Sequence, residues 1–186
     1  MKPNKSSLFK DIKTILSKWG FSKQGLINNS KGEWYLFSQM LLILLHLIPP
    51  YPKIENLEFS INAFFIIIGL ATSTQGLILV IKAFIDLGAN LTPLPYPMNE
   101  SILIRNNSYK NVRHPLYKGL LILSLGICIF SLSLIHLFLL ISLAYILKMK
   151  AIKEEERLKI KFPEYKNYIK EVPAIIKIIK YLDWRS

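Results

Sequence analysis

Three long apolar blocks, separated by polar or charged segments, make up much of this sequence. The blocks are Trp34–Ile48, Phe59–Ile85 and Leu116–Leu147. Of the 186 residues, 52% are hydrophobic and only 19% are charged, whereas soluble domains carry about 25% charged residues. Uninterrupted apolar runs of this kind are typical of helices that cross a lipid bilayer. The sequence therefore predicts an all-α integral membrane protein with a single domain.

The third block is too long for one crossing. A single helix over its roughly 32 residues would extend about 48 Å, well beyond a hydrocarbon core of about 30 Å. We therefore expect a helical hairpin that turns near residues 131–133. The first block is short, at about 15 residues where about 20 are usual, with Trp34 and Tyr51 as interfacial anchors. In all, about four transmembrane helices are predicted, two of them in this C-terminal hairpin.

The second block carries a polar band, Thr72 to Gln75, near its middle. Polar groups within a bilayer need hydrogen-bond partners. We expect this band to face other helices. Helix packing is the first interpretation, and lining a substrate cavity is the alternative.

Both ends of the chain show apolar residues at helical spacing among lysines, which is typical of short amphipathic helices in the membrane interface. At the N-terminus these residues are Leu8, Phe9, Ile12, Ile15, Leu16 and Trp19. Near the C-terminus they are Ile175, Ile176, Ile178, Ile179, Tyr181 and Leu182.

Charge predicts the topology. The chain has 24 Lys and Arg against 12 Asp and Glu, a net charge of +12. On a soluble domain this excess would indicate nucleic acid; here the basic residues flank apolar blocks, so membrane lipids are the expected partners and nucleic acid is not. Both ends and the segment after the second block are basic, and the loop Pro49–Glu58 is not. By the positive-inside rule both termini are predicted to be cytoplasmic.

The predicted organisation is a multi-pass membrane protein with five consecutive segments. They are an interfacial N-terminal segment (1–33), two membrane helices (34–87), a proline-bearing loop (88–115), the helical hairpin (116–147) and a cytoplasmic tail (148–186). The lone Cys128 excludes a disulfide framework and a multi-cysteine metal site. No metal site is predicted.

Polar residues flank the hairpin on both sides. Before it stand Tyr109, Arg113, His114 and Tyr117; after it stand Lys150, Glu154 and Glu155. Because a hairpin brings its two ends together, we expect these clusters to meet at the cytoplasmic interface. Lys150 and Glu154 are four residues apart and share a helix face.

The order of these residues resembles a known family. The first motif is a Tyr followed by Arg-His-Pro-Leu-Tyr-Lys-Gly, at Tyr109 and residues 113–119. After the hairpin come Glu-Glu-Glu-Arg-Leu at residues 154–158, Phe162, and Tyr-Lys-Asn-Tyr at residues 165–168. Together they resemble the isoprenylcysteine carboxyl methyltransferase and phospholipid methyltransferase superfamily, over residues 88–175, about half of the chain.

The resemblance implies a methyltransferase that uses S-adenosylmethionine on a lipophilic small-molecule or prenylated substrate. Matched position by position, it implies that the cofactor is bound by Leu103, Ile104, Tyr109, His114, Pro115, Leu116, Tyr117 and Glu154. The catalytic residues implied are Arg113, Lys150 and Glu155. Lys150 stands where prenylcysteine enzymes have an Arg; it keeps the charge but lacks the bidentate fork.

Other functions remain open at this point. The acceptor implied first is a prenylcysteine-type carboxylate, and the alternatives within the same chemistry are a phospholipid amine and a small thiol. Reductase chemistry is a further alternative, because sterol reductases have related C-terminal halves. Those enzymes are larger than this chain. A membrane binding or assembly protein without turnover is the alternative from another class. The oligomeric state is not predicted.

Overall fold

The computed structural model describes residues 17, 19–52 and 58–185, and within them the chain is all-α without a sheet. The described helices are α1 (Lys23–Asn28), α2 (Glu33–Leu45), α3 (Phe59–Leu87), α4 (Ser108–Asn111), α5 (Pro115–Ser131), α6 (Leu134–Lys161) and α7 (Tyr165–Glu171). Two 3₁₀ turns lie at Gly88–Asn90 and Lys180–Leu182. The amphipathic helix predicted from Leu8 to Leu16 lies outside the described residues.

Helices α3 and α5 form the closest pair in the fold, and glycines set their spacing. Gly69 meets Gly126, and Gly76 meets Gly119, so the two helices run antiparallel. A Cβ atom added at Gly76 would lie 2.3 Å from the backbone nitrogen of Leu123. The side chains of an ordinary apolar seam would hold these backbones further apart.

Replacing Gly76 with valine is expected to destabilise this pair by at least 1–3 kcal/mol, the usual cost of overpacking. The clash is with backbone, which cannot rotate away, and it outweighs the gain in helix propensity. The apparent melting temperature in detergent measures the effect. Ala71→Val, on the exposed face of the same helix, is the matched control. Equal melting temperatures for the two variants would contradict this packing.

The predicted hairpin is confirmed, with its turn where the sequence placed it. Helix α5 ends at Ser131, Leu132 adopts a left-handed conformation (φ 45°), and α6 begins at Leu134. The loop after α2 closes over this turn, because the Tyr51 N–H donates to Ser133 Oγ (2.8 Å) and the Ile135 N–H donates to the Tyr51 carbonyl (3.1 Å).

The lengths of the described helices do not all match the predicted four full crossings. Within the part of the chain that the structure describes, two helical segments, Phe59–Asn90 and Leu134–Lys161, are long and apolar enough to span a membrane. Helix α2 has 13 residues, fewer than a full crossing needs, and α5 has 17, at the lower limit of the roughly 17–25 that span a bilayer. Helix α6 also continues through the boundary predicted at residue 147, so the charged residues 148–161 extend the hairpin as regular helix.

The prediction for the polar band on α3 is partly wrong. Thr72 and Ser73 are half-buried, whereas Thr74 and Gln75 are exposed. The Thr74 hydroxyl donates to the Leu70 carbonyl of its own helix (2.8 Å). Four consecutive residues point in directions about 100° apart and cannot share one helix face.

The prediction of an amphipathic helix from residue 175 to 182 is also wrong. Only Lys180–Leu182 is helical there, as a 3₁₀ turn. Ile175 and Leu182 are buried in the core with side chains of α5 and α6, and the Ile175 N–H donates to the Leu182 carbonyl (3.0 Å). These apolar residues therefore anchor a segment that folds back onto the core. We call this segment, residues 173–185, the C-terminal strap.

The proline-bearing loop and the tail meet, as the charge pattern predicted. The N–H of Arg113 donates to the Pro173 carbonyl (2.9 Å), and the N–H of His114 donates to the Ala174 carbonyl (2.9 Å). This short backbone pairing joins the entry of α5 to the strap and brings the two polar clusters together.

Candidate functional site

The entry of helix α5 positions the first cluster. Pro115 occupies the first turn of the helix, where its missing N–H costs nothing and its fixed φ suits the helix. Val112, which precedes Arg113, has an extended backbone. The side chains of Arg113 and His114 therefore extend from the segment just before the helix begins. Pro115 itself is fully buried and lines neither cavity described below.

Arg113 uses its whole guanidinium within the protein. Its Nε donates to Glu155 Oε1 (2.7 Å), and Nη2 donates to Glu155 Oε2 (3.3 Å) and the Trp184 carbonyl (2.9 Å). Nη1 donates to the carbonyls of Ile169 (3.1 Å) and Val172. A guanidinium has five N–H groups, and all five have acceptors here. Arg113 therefore ties α6, α7 and the strap together.

Glu155 is the hydrogen-bond acceptor that the side chains of this cluster share. It is 2% exposed, and besides Arg113 it accepts bonds from His114 Nε2 (2.9 Å) and Trp184 Nε1 (2.8 Å). Both oxygens are thus saturated by protein donors. The resemblance implied catalytic roles for Arg113 and Glu155; in the structure their hydrogen-bonding groups are occupied by each other and by their neighbours.

His114 links this cluster to a second carboxylate. A carboxylate only accepts hydrogen bonds, so Nε2 carries the proton that points to Glu155. The other ring nitrogen, Nδ1, lies 3.9 Å from Glu154 Oε2. The imidazole stacks on the Tyr117 ring, with centroids 5.3 Å apart and planes 5° from parallel.

Glu154 is the more accessible of the two carboxylates. Its side chain is 30% exposed, and its Oε2 accepts a bond from the Tyr117 hydroxyl (2.8 Å). From the described part of the chain, no hydrogen bond reaches its Oε1. Glu154 therefore has an oxygen available for a ligand, which Glu155 lacks.

A first cavity, the loop pocket, lies between the proline-bearing loop and the segment from α6 to α7. Five residues predicted to bind the cofactor line it: Leu103, Ile104, Tyr109, His114 and Glu154. Its volume is about 70 Å³, smaller than the roughly 300–1,000 Å³ of typical ligand sites. Burial raises the pKa of Tyr109 and of Tyr168, so both remain neutral hydroxyl donors.

A second cavity, the helix pocket, lies among α2, α3, α5 and α6 and has a volume of about 370 Å³. Its walls are mainly apolar, and they include Leu116, Tyr117 and Lys150 of the predicted site. The two pockets adjoin, because they share the lining residues Leu87, Thr92, Tyr109, His114 and Glu154.

Lys150 places a positive charge inside the helix pocket. It is 4% exposed; its Nζ donates to Gln39 Oε1 (2.7 Å) and lies 5.5 Å from the centre of the Tyr117 ring. Within the described residues no carboxylate oxygen lies within 4.0 Å of it. A buried ammonium with one amide acceptor is incompletely compensated, so this end of the pocket favours an anion.

Sequence reasoning missed some residues of this site. Gln39 is an amide inside the apolar block Trp34–Ile48, and that isolation was a usable signal. Tyr165 and Tyr168 belong to the Tyr-Lys-Asn-Tyr motif at residues 165–168, and both line the loop pocket. Nothing in the sequence pattern indicated that Trp184 would reach Glu155.

Comparison with models of protein families, with curated proteins and with solved structures found no match to this chain. Its function is therefore inferred from its residues and their geometry.

Proposed function

We propose that this chain is a membrane methyltransferase that uses S-adenosylmethionine and acts on a lipophilic acceptor, in the first instance a prenylcysteine-type carboxylate. One observation carries the proposal: the loop pocket and the apolar helix pocket meet at Tyr109, His114 and Glu154. Methyl transfer between a polar donor and an apolar acceptor needs this kind of junction. The ordered motifs of the sequence support the same chemistry.

The outer surface of the helices supports a membrane location. In the most apolar 18-residue window of the segment Phe59–Asn90, only 11% of residues are buried inside the protein. A core helix of a soluble protein would be mostly buried. Large side chains such as Ile67 (65% exposed) and Ile85 (70% exposed) instead face outward, where acyl chains would cover them. With basic segments on one side, we place both termini in the cytoplasm.

The loop pocket has the chemistry to hold S-adenosylmethionine. The free Oε1 of Glu154 suits the ammonium group or a ribose hydroxyl, and the rings of Tyr109, Tyr165 and Tyr168 provide walls for the adenosyl group. The cofactor supplies an electrophilic methyl group on a sulfonium. Because the pocket is narrow, we expect residues 88–107 to move outward when the cofactor binds; apart from one 3₁₀ turn, this stretch has no regular structure.

The protein's own task is then alignment and exclusion of water. A carboxylate acceptor attacks as an anion and becomes an ester without losing a proton, so it needs no general base. Lys150 would hold that anion at the end of the helix pocket, pointing to the junction. Correct alignment alone can supply on the order of 7–11 kcal/mol in ideal cases.

A phospholipid amine or a small thiol is the alternative acceptor. Such a group must lose a proton, and His114 Nδ1 beside Glu154 is the group placed to take it. A membrane protein that binds the cofactor and a lipid without turnover is the alternative from another class.

The direct test of the proposed cofactor is calorimetric titration of the purified protein in detergent with S-adenosylmethionine and, separately, with S-adenosylhomocysteine. We expect one binding site for each and competition between them. If neither ligand binds, the proposed function fails.

Lys150→Met is expected to raise the KM for an anionic acceptor at least about tenfold, because one charge-assisted contact is worth roughly 1.5–3 kcal/mol. Affinity for S-adenosylmethionine should stay within about twofold. Lys153→Met, one turn further along α6, is the matched control, since its Nζ donates to the Asn29 carbonyl (3.3 Å) outside both pockets. An unchanged KM in Lys150→Met would exclude this role for the lysine.

A further inference from the structure

The C-terminal strap is held in place by its apolar residues. Ile175 is 0% exposed and Leu182 is 5% exposed, both in the core with side chains of α5 and α6. The Ala174 N–H also donates to Asp183 Oδ1 (3.1 Å), which closes the strap on itself. The strap is therefore anchored independently of the residue that follows Asp183.

That residue, Trp184, reaches the ionic cluster with its side chain and its backbone. Its indole Nε1 donates to Glu155 Oε2 (2.8 Å), and its carbonyl accepts from Arg113 Nη2 (2.9 Å). Its ring lies beside the imidazole of His114, with centroids 6.3 Å apart and planes inclined by 32°. Trp184 lies beyond residue 175, where the resemblance described above ends.

We propose that Trp184 is a positioning residue that completes the cofactor site: it fixes the carboxylate of Glu155 and, through it, the imidazole of His114 in the wall of the loop pocket. The identity of the cofactor rests on the function proposed above; the positioning itself does not. Through Trp184, the last described residues of the chain become part of the site.

The hydrogen bonds of Glu155 show why the indole matters. Its Oε1 is held by Arg113 Nε at 2.7 Å and by His114 Nε2 at 2.9 Å. Its Oε2 has the Trp184 bond and one longer bond, from Arg113 Nη2 at 3.3 Å. Without the indole N–H this oxygen loses its shorter partner, so the carboxylate can turn about its remaining contacts. The His114 ring follows because its Nε2 is bonded to the same carboxylate.

Trp184→Phe separates this role from folding, because it keeps an aromatic ring on the strap while removing the N–H donor together with one ring of the indole. Trp34→Phe is the matched control: the indole of Trp34 also donates one hydrogen bond, to the Leu26 carbonyl (2.9 Å), and it lines neither pocket. The two variants should melt at similar temperatures, since the strap keeps Ile175 and Leu182 in the core.

The first measurement is the ¹⁵N NMR signals of the His114 ring, in the full-length protein without ligand. The chain has 3 histidines, which single substitutions assign. We expect the Nε2 signal of His114 to shift in Trp184→Phe and not in Trp34→Phe. The second measurement is the affinity for S-adenosylmethionine, expected to fall on the order of tenfold in Trp184→Phe only, the worth of one hydrogen bond to a charged group.

An unchanged His114 signal in Trp184→Phe would overturn the positioning role, and a shifted signal with unchanged affinity would overturn the claim that Trp184 completes the cofactor site. If the unmodified protein does not bind S-adenosylmethionine, the proposed function fails, while the NMR comparison still decides whether Trp184 orients His114.

Discussion

Glu154→Ala is expected to abolish measurable binding of S-adenosylmethionine. Glu154 is the carboxylate at the junction of the two pockets, and its Oε1 accepts no hydrogen bond from the described residues. No other acidic side chain at this junction can take its place. Loss of a charge-assisted bond costs roughly 1.5–3 kcal/mol, which corresponds to about 10- to 150-fold in affinity. The Tyr117 hydroxyl, which donates to Glu154 (2.8 Å), loses its acceptor as well and leaves the wall of the pocket less ordered.

Calorimetry in detergent measures this effect, and Glu154→Gln separates charge from size. We expect the glutamine variant to bind weakly, since it keeps the shape and an acceptor but loses the charge. Glu156→Ala, exposed on the same helix, is the matched control and should bind normally. Unchanged affinity in Glu154→Ala would remove Glu154 from the cofactor site.

Arg113→Met is expected to destabilise the protein by about 3–5 kcal/mol, the usual cost of leaving one member of a buried ion pair without its partner. Glu155 would remain 2% exposed with its countercharge gone. The carbonyls of Ile169, Val172 and Trp184 would also lose a donor. The end of the strap around Trp184 should therefore loosen, while Ile175 and Leu182 keep its middle in the core.

Hydrogen exchange of residues 173–185 and the apparent melting temperature measure this effect. Arg105→Met, at an exposed arginine of the loop, is the control. The double variant Arg113→Met with Glu155→Leu should recover part of the lost stability, because it removes the uncompensated charge. If the strap of Arg113→Met remains as protected as that of Arg105→Met, the cluster does not hold it.

Local patterns in the sequence were enough to predict the helical hairpin and the meeting of its two ends. The length of the third block required a turn, and the serines at 131 and 133 marked it. Once the turn is placed, the motif around Tyr109 and the motif around Glu154 must lie at the same end. The convergence of most of the predicted site residues follows from that geometry.

Other parts depend on contacts between residues far apart in the chain, which periodicity does not encode. Lys150 and Gln39 lie 111 positions apart, and Arg113 and Trp184 lie 71 positions apart. The apolar residues of the strap have helical spacing, yet Ile175 and Leu182 pack into the core as a folded-back loop. Arg113 and Glu155 have the chemistry of catalytic groups, and only their hydrogen bonds show that they are fully occupied.

Transfer of a labelled methyl group tests the proposed methyltransferase activity itself. Purified protein is incubated with methyl-labelled S-adenosylmethionine and a lipid extract, with Glu154→Ala as the inactive control. We expect an organic-soluble product whose label is released by mild base, as from a methyl ester. Base-stable label would favour an amine or thiol acceptor. Bound cofactor with no labelled product from any extract would contradict methyl transfer and favour a binding protein.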